Sequence, residues 1–235
     1  MLLQSAWAVD SKTTAVNLKA SDGTAVFGTA YSANNPRATL LLFHQAGANR
    51  MEYKSIAPRL VQAGYNVIAI DQRSGGNLFG GNNETAKHFG RKASYLEAKP
   101  DLQAALDWAS EQHLPVVLWG SSYSSALVFL LAAENPGKVA ALLSFSPNEY
   151  LGSPDLVRQA AASVNIPIFV TSSIDADEIA GAKAVLSASP SISKTQFVPQ
   201  KGGVHGSSTL DPKRNAKGAE ENWQAVLAFL QSLKL

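Results

Sequence analysis

The chain repeats one pattern, in which a short and wholly apolar run is followed by a stretch with helical spacing. The runs are ATLLLFH, YNVIAID, PVVLWG, VAALLSFS and IPIFVTSS. Such runs are typical of strands that are covered on both faces of a sheet. Because helices separate them, we predict an α/β fold with a mostly parallel central sheet and helices on both faces. Ligands bind such sheets at the carboxyl ends of the strands, so the loops there are expected to carry function.

Turn and cap signals complete the outline. VNLKASDGTAVFGTAYSA predicts a hairpin that turns at Ser21-Asp22-Gly23, and MEYKSIAPRLVQAG predicts a helix that ends at Gly64. The segment from Ser74 to Gly90 is predicted to be a glycine-rich loop, and KTQFVP the last strand. The other predicted helices are PDLQAALDWASEQ, SSALVFLLAAENPG, DLVRQAAAS, EIAGAKAVLSAS and EENWQAVLAFLQSL.

Composition excludes several classes of function. The 235 residues contain no cysteine, which excludes disulfides, thiolate metal sites and a cysteine nucleophile. The formal net charge of +2 is too small to indicate a nucleic-acid partner, and no apolar run is long enough to span a bilayer. We therefore expect one domain over residues 9–235, with no nucleic-acid partner and no insertion into a membrane. The oligomeric state does not follow from the sequence.

The first eight residues carry half of a targeting signal. Ala6-Trp7-Ala8 has the small-x-small pattern that signal peptidases cleave, but a basic start and a full apolar segment are missing. Residues 1–8 are interpreted either as a signal-peptide remnant or as a frayed terminus. Localisation therefore stays open between the cytoplasm and, for a remnant, the periplasm or the exterior.

The clearest candidate for chemistry is a serine behind the strand PVVLWG. A nucleophilic serine needs a sharp strand-to-helix turn, with small residues two positions before and after it. Gly120 and Ser124 meet that need for Ser122. Ser121 comes one position too early for this turn. The alternative is that these serines merely cap the next helix.

A serine nucleophile needs a histidine base, which in turn needs a carboxylate to orient it. His205, in a glycine-flanked loop before the last helix, is the only histidine after Ser122. The acid is expected after the strand IPIFVTSS, where Asp175, Asp177 and Glu178 follow one another. One of these carboxylates can cap the next helix while another orients the histidine.

Two backbone N–H groups are expected to stabilise the developing oxyanion. Tyr123, directly after the serine, would supply the first. The second would come from His44-Gln45-Ala46-Gly47, where Ala46 is the first choice and Gln45 the alternative. His44 is expected to be structural and to hold this loop through its ring.

These motifs together resemble the α/β-hydrolase superfamily, and most of all its small, lid-poor members related to dienelactone hydrolases and serine carboxylesterases. The segments that carry the resemblance are LLLFHQAG, GYNVIAIDQRSGG, GSSYS, IPIFVTSSIDADEI and GGVHG, in family order. The resemblance implies a triad of Ser122, Asp175 and His205, with Asp177 as the second-choice acid. Gln45 and Ser124 depart from the usual pattern. The resemblance also implies a structural role for the turn at Arg73.

The implied activity is hydrolysis of small or short-acyl carboxylic esters through an acyl-enzyme, which requires no metal or cofactor. The alternatives are a dienelactone-hydrolase-like or small-amide or peptidase-like activity, and a binding protein on a hydrolase scaffold. Only about twenty residues separate Phe145 from Pro167, too few for a cap domain. The 74–90 loop is interpreted either as a mobile rim of the site or as a solvated connection.

Overall fold

One eight-stranded sheet runs through the protein. The structure, a computed structural model, describes residues 12–235, so the expectations for residues 1–8 lie outside the described part. Within that part no helix has the length and apolar character needed to cross a membrane. The strands are β1 (Lys12–Lys19), β2 (Ala25–Ser32), β3 (Thr39–Phe43), β4 (Asn66–Ile70), β5 (Val116–Ser121), β6 (Ala141–Phe145), β7 (Ile168–Thr171) and β8 (Lys194–Phe197).

The strand order is β1-β2-β4-β3-β5-β6-β7-β8. The first two strands form the expected antiparallel hairpin, and β2 is also antiparallel to β4. All remaining pairs are parallel, as the wholly apolar runs predicted. The predicted α/β fold with a mostly parallel central sheet is thereby confirmed.

Seven α-helices cover the two faces of the sheet in the described part. They are α1 (Ala57–Gln62), α2 (Glu84–Phe89), α3 (Lys99–Ser110), α4 (Tyr123–Glu134), α5 (Leu156–Ala161), α6 (Ala176–Ala188) and α7 (Ala219–Ser232). One buried apolar cluster joins the sheet to α3, α4, α5 and α6, and a second joins its other face to α1 and α7. Because α4 is buried along nearly its whole length, its sequence is apolar on all sides rather than on one stripe.

Two helical predictions need correction. The single helix predicted in MEYKSIAPRLVQAG is a short 3-10 turn at Arg50–Tyr53 followed by α1, which has Pro58 in its first turn. Proline is favoured there because its missing N–H needs no partner, so α1 starts afresh at this position. The predicted loop 74–90 contains α2, whose cap Asn83 accepts a hydrogen bond from the N–H of Ala86.

Parallel pairing places the candidate residues at one edge of the sheet. Strands β3, β5, β6, β7 and β8 run side by side in one direction, so the loops that follow them share their carboxyl edge. Those loops carry the oxyanion candidates, Ser122, the serine at the end of β6, the acidic segment and His205. Residues far apart in sequence thereby meet above the sheet.

Candidate active site

Ser122 occupies a strained turn between β5 and α4. Its backbone has φ 57° and ψ −123°, outside the regions that side-chain-bearing residues prefer. The turn brings the next helix so close that a Cβ on Gly120 would lie 2.6 Å from Cα of Ser125. Glycine is therefore required at position 120, and the turn holds the serine at the start of the helix.

Ser122, His205 and Glu178 form one chain of hydrogen bonds. Nε2 of His205 lies 2.8 Å from Oγ of Ser122, and Nδ1 of His205 lies 2.8 Å from Oε1 of Glu178. Since a carboxylate only accepts hydrogen bonds, the ring donates from Nδ1 to Glu178 and its Nε2 is free to accept from the serine hydroxyl. The side chain of His205 is 40% exposed, so the site is open to solvent.

The carboxylate that contacts His205 is that of Glu178 and not that of Asp175, the acid expected from the sequence. Oδ1 of Asp175 accepts hydrogen bonds from the N–H groups of Asp177 and Glu178, which makes it the cap of α6. Asp177 is exposed in the first turn of that helix and does not contact the histidine. The physical reason is that α6 begins at Ala176, which turns the third helical side chain back toward the sheet.

Three donors converge on the Glu178 carboxylate. Besides the histidine, Oε2 of Glu178 accepts hydrogen bonds from Oγ of Ser146 at 2.7 Å and from the N–H of Ser173 at 3.0 Å. Burial opposes ionisation of this group, but the hydrogen bonds from His205, Ser146 and Ser173 outweigh it and lower the pKa of Glu178 to about 2. The carboxylate is therefore ionised at neutral pH.

The loop after β3 offers one of its two expected oxyanion donors. The N–H of Gln45 donates to Oε2 of Glu52 at 2.8 Å and is therefore engaged within the protein. Across residues 12–235, the N–H groups of Ala46 and Tyr123 have no acceptor within hydrogen-bonding distance. The first choice made from the sequence, Ala46 with Tyr123, thus fits the geometry better than Gln45 does.

Ser124, which departs from the usual glycine, anchors the loop after β3. This loop, residues 44–47, is called the oxyanion loop below because it carries the expected donor. Its Oγ donates to the carbonyl of His44 at 2.5 Å and accepts from Nε2 of Gln72 at 2.6 Å. The His44 ring bonds the Gln45 carbonyl through Nδ1 and accepts the N–H of Gln72 at Nε2. Burial lowers the pKa of His44 to about 4, so the ring is neutral. The structural role expected for His44 is confirmed.

A serine hydroxyl after β6 ties the His205 loop to the acid. Oγ of Ser146 accepts the N–H of Gly206 at 2.9 Å while it donates to Glu178. The backbone of Ser146 has φ 57°, a second strained position at this edge of the sheet. Sequence reasoning missed Ser146, although its place directly after a buried parallel strand is a usable signal.

A second serine ties the same loop to another carboxyl group. Oγ of Ser121 accepts the N–H of Ser207 at 2.9 Å and donates to Oε1 of Glu52 at 2.7 Å. Ser207 is also held by the ring N–H of Trp119, which donates to its hydroxyl. Sequence reasoning missed Glu52 as well, and nothing in its run of residues distinguishes it from a solvated helical glutamate.

An apolar groove of about 510 Å³ has two lining residues, Tyr95 and Tyr150, that contact neighbours of the hydrogen-bonded chain. The ring of Tyr95 stacks on the ring of Tyr123 with centroids 4.4 Å apart, and the Tyr150 hydroxyl donates to the carbonyl of Ser146. Both walls are thus anchored to residues that border the hydrogen-bonded chain. Residues 93–96 and 150–152 line the groove.

The segment 76–80 is fastened to the oxyanion loop. Nδ2 of Asn49 donates to three carbonyls of this segment, those of Gly76, Leu78 and Gly80, at 2.9–3.2 Å. In addition, the N–H of Leu78 donates to the carbonyl of Gly47. Leu78 itself is 56% exposed beside this loop. Segment 76–80 is thereby tied to the loop that follows β3.

The described residues hold no group of three or more histidine and acidic side chains arranged for a metal ion.

Arg73, expected to be structural, is buried and pairs with Asp101 and Asp22. Its guanidinium holds the hairpin of β1 and β2 against the start of α3.

Comparisons with known proteins agree with this architecture. A model of the Hydrolase_4 family, described as serine aminopeptidase, S33, matches residues 34–198, more than half of the chain. A curated monoacylglycerol lipase from Mycolicibacterium smegmatis is 28% identical over 160 residues. That match covers 66% of this chain and 55% of the relative, so the chain spans about half the length of the curated relative it matches.

Solved structures share the fold over nearly the whole chain. A dienelactone hydrolase from Anabaena variabilis has a TM-score of 0.75 at 21% identity, covering 95% of this chain and 98% of that one. A cold-adapted esterase from an Arctic intertidal metagenomic library has a TM-score of 0.70 at 19% identity, covering 98% and 100%. At these identities the likeness establishes the fold alone.

Proposed function

This chain belongs to the Hydrolase_4 family, described as serine aminopeptidase, S33, and we propose that it is a serine hydrolase that cleaves small carboxylic esters. The observation that carries the proposal is the chain of hydrogen bonds from Ser122 through His205 to Glu178, with 2.8 Å at each histidine nitrogen. These are the distances that a nucleophile, a general base and an orienting acid require.

In the proposed mechanism, Oγ of Ser122 attacks the ester carbonyl carbon while Nε2 of His205 takes the hydroxyl proton. Glu178 fixes the ring with its proton on Nδ1 and stabilises the imidazolium that forms. The N–H groups of Ala46 and Tyr123 bind the oxyanion of the tetrahedral intermediate. His205 then gives its proton to the departing alcohol, and an acyl-enzyme remains on Ser122.

Water completes the cycle by the same groups. His205 takes a proton from a water molecule, whose oxygen attacks the acyl carbon and regenerates the oxyanion. Collapse of this second intermediate returns the proton to Oγ of Ser122 and releases the carboxylic acid. The half-exposed His205 ring gives water direct access for this step.

The groove supports short acyl groups as substrates. The lack of a cap between β6 and β7 leaves this groove of about 510 Å³ open, so a long acyl chain would remain partly exposed to solvent. The acyl group is placed between Tyr95 and Tyr150. The groove lining contains no acidic side chain that would pair with an α-ammonium group, which favours esters over aminoacyl amides.

A substrate panel tests this proposal. Purified protein is assayed with p-nitrophenyl esters of increasing acyl length, a small lactone and an aminoacyl p-nitroanilide, and is labelled in parallel with a fluorophosphonate. We expect turnover of the short esters and one phosphonate adduct per chain, on Ser122. Turnover of the anilide above every ester would favour the peptidase-like alternative, and absence of both labelling and turnover would favour a binding protein.

A further inference from the structure

Glu52 is a carboxyl group that the proposed chemistry does not use, yet it is almost completely buried beside the site. It lies in the 3-10 turn Arg50–Tyr53 and is 3% exposed. Burying a carboxyl group costs free energy unless hydrogen bonds compensate for it. The bonds that compensate here are the ones that connect functional loops.

Each oxygen of Glu52 serves a different loop. Oε2 accepts the N–H of Gln45, at the start of the oxyanion loop, at 2.8 Å. Oε1 accepts the hydroxyl of Ser121, the residue before the nucleophile, at 2.7 Å. That hydroxyl in turn accepts the N–H of Ser207, two residues beyond His205. One carboxyl group thus joins the loops that carry the oxyanion donor, the nucleophile and the base.

We propose that Glu52 is a positioning residue of the active site, which sets the Ala46 N–H in register with Ser122 and His205. This inference rests on the proposed function. By engaging the Gln45 N–H, Glu52 fixes the plane of the following peptides and leaves the next N–H, that of Ala46, to face the reacting carbonyl. A displacement of this donor weakens binding of the transition state more than binding of the ester, because the negative charge develops only during reaction.

The testing variant is Glu52→Gln, which keeps the shape of the side chain. An amide has one acceptor oxygen, so it can accept a hydrogen bond from either the Gln45 N–H or the Ser121 hydroxyl but not from both, and its NH2 group meets the other partner as a donor. Loss of a complete oxyanion donor costs about 10²- to 10³-fold in kcat, and a displaced donor is expected to cost less. We expect kcat for p-nitrophenyl acetate to fall about 10- to 100-fold with KM changed less than about twofold.

Two readouts separate positioning from loss of folded protein. The kcat is expressed per active site titrated with a fluorophosphonate, so an unfolded fraction does not count. The second readout is the affinity for methylboronic acid, which adds to Oγ of Ser122 to give a tetrahedral boronate with a negative oxygen. We expect this affinity to fall by about the same factor as kcat, because both depend on the oxyanion donors.

Glu149→Gln is the matched control. Its carboxylate also accepts two backbone N–H bonds, from Val157 and Arg158, but it contacts none of the three loops. We expect its kcat and boronate affinity to equal those of the wild type. If Glu52→Gln matched the wild type in both readouts, the inference would be overturned.

Should Glu52→Gln fail to fold, Ser121→Ala decides the question. It removes the link from Glu52 to the His205 loop while Oε2 of Glu52 keeps its hydrogen bond from the Gln45 N–H, and the same two readouts are expected to fall together. Wild-type values in that variant would overturn the inference. Failure of the proposed function has a different signature, since the wild type would then lack esterase activity or Ser122→Ala would keep it.

Discussion

Oε1 of Glu178 lies 2.8 Å from Nδ1 of His205, although Glu178 is the third residue of a helix that Asp175 caps. The helix therefore presents two carboxylates in opposite directions from the same turn. Asp175 faces its own backbone N–H groups, and Glu178 faces the end of the sheet. This division of roles separates stability from chemistry and can be tested by single substitutions.

Replacing the two carboxylates should have opposite effects. We expect Glu178→Gln to fold and to lower kcat by up to about 10⁴-fold, because an amide does not hold the required tautomer of His205. Asp175→Asn is its matched control and should cost less than about 1 kcal/mol of stability with little loss of activity, because asparagine caps a helix about as well as aspartate and only the favourable charge at the helix N-terminus is lost. Steady-state kinetics and urea denaturation of both variants provide the measurement. An active Glu178→Gln beside an inactive Asp175→Asn would restore the assignment made from the sequence.

Ser122→Ala should abolish ester hydrolysis in a folded protein. Removal of the nucleophile in comparable triads costs on the order of 10⁴- to 10⁶-fold in rate. Ser121→Ala is the neighbouring control and should lose far less, since its hydroxyl bonds Glu52 and Ser207 rather than a substrate. If the two variants exchanged behaviour, the nucleophile would be one position earlier.

Much of this site could be predicted from sequence, because order along the chain and strand position constrain it. The small residues on both sides of Ser122 indicate the sharp turn that a nucleophile needs. His205 is the only histidine that follows it in the chain. The acid could not be chosen, since three carboxylates lie within four positions and the start of α6 decides which of them faces the sheet. A boundary read from sequence is uncertain by about two residues or more, which is enough to exchange Asp175 and Glu178.

The fold could be predicted where its signal lies in a local run of residues, and it could not be predicted where it depends on contacts between distant segments. A wholly apolar run is a strong local signal for a buried strand. Strands β5 and β6 lie where the runs PVVLWG and VAALLSFS predicted them. Glu52 and Ser146 could not be predicted, because their roles depend on loops that approach one another only in the folded chain. Long-range hydrogen bonds leave no local pattern of residues. The helix at 84–89 was missed because its apolar positions are too few to show a period.

Ionisation of Glu52 should couple stability to pH. Burial is the largest cause that raises its pKa, to about 7, and the hydrogen bonds and the charges of His205 and Arg214 oppose it only in part. The folded state therefore binds this proton more tightly than the unfolded chain. The associated stability is present below the usual pKa near 4.5 and is lost as pH rises through about 7.

The comparison of wild type with Glu52→Gln measures this coupling, since glutamine does not titrate. We expect the free energy of unfolding of the variant to rise relative to wild type by up to about 3 kcal/mol between pH 4.5 and pH 8. Urea denaturation at several pH values gives the slope, and any constant loss from the weaker hydrogen bonds cancels from it. A difference that is flat across this range would contradict the raised pKa.

Acyl length should govern specificity through the groove. We expect kcat/KM to be highest for short acyl esters and to decline toward dodecanoyl. Tyr95→Ala removes one wall and should lower kcat/KM for butyryl esters about 5- to 30-fold, with a smaller effect on acetyl esters, since it removes apolar contact with the chain. Ile192, exposed beside β8, gives the control Ile192→Ala, which should leave the profile unchanged. A steady rise through dodecanoyl would contradict this assignment.

The hydrogen bond from Leu78 to Gly47 and the contacts of the neighbouring Asn49 amide make segment 76–80 and the oxyanion loop one mechanical unit, whereas the groove walls at 93–96 and 150–152 belong to other connections. Selection for new substrates can therefore act on wall residues other than Tyr95 and Tyr150, whose rings contact Tyr123 and Ser146, while the transition-state machinery keeps its shape. Diversity introduced in the walls should redirect substrate preference at preserved turnover. Diversity introduced in segment 76–80 should depress turnover of every substrate alike. The walls are therefore the part of this protein in which substrate preference can change without loss of turnover.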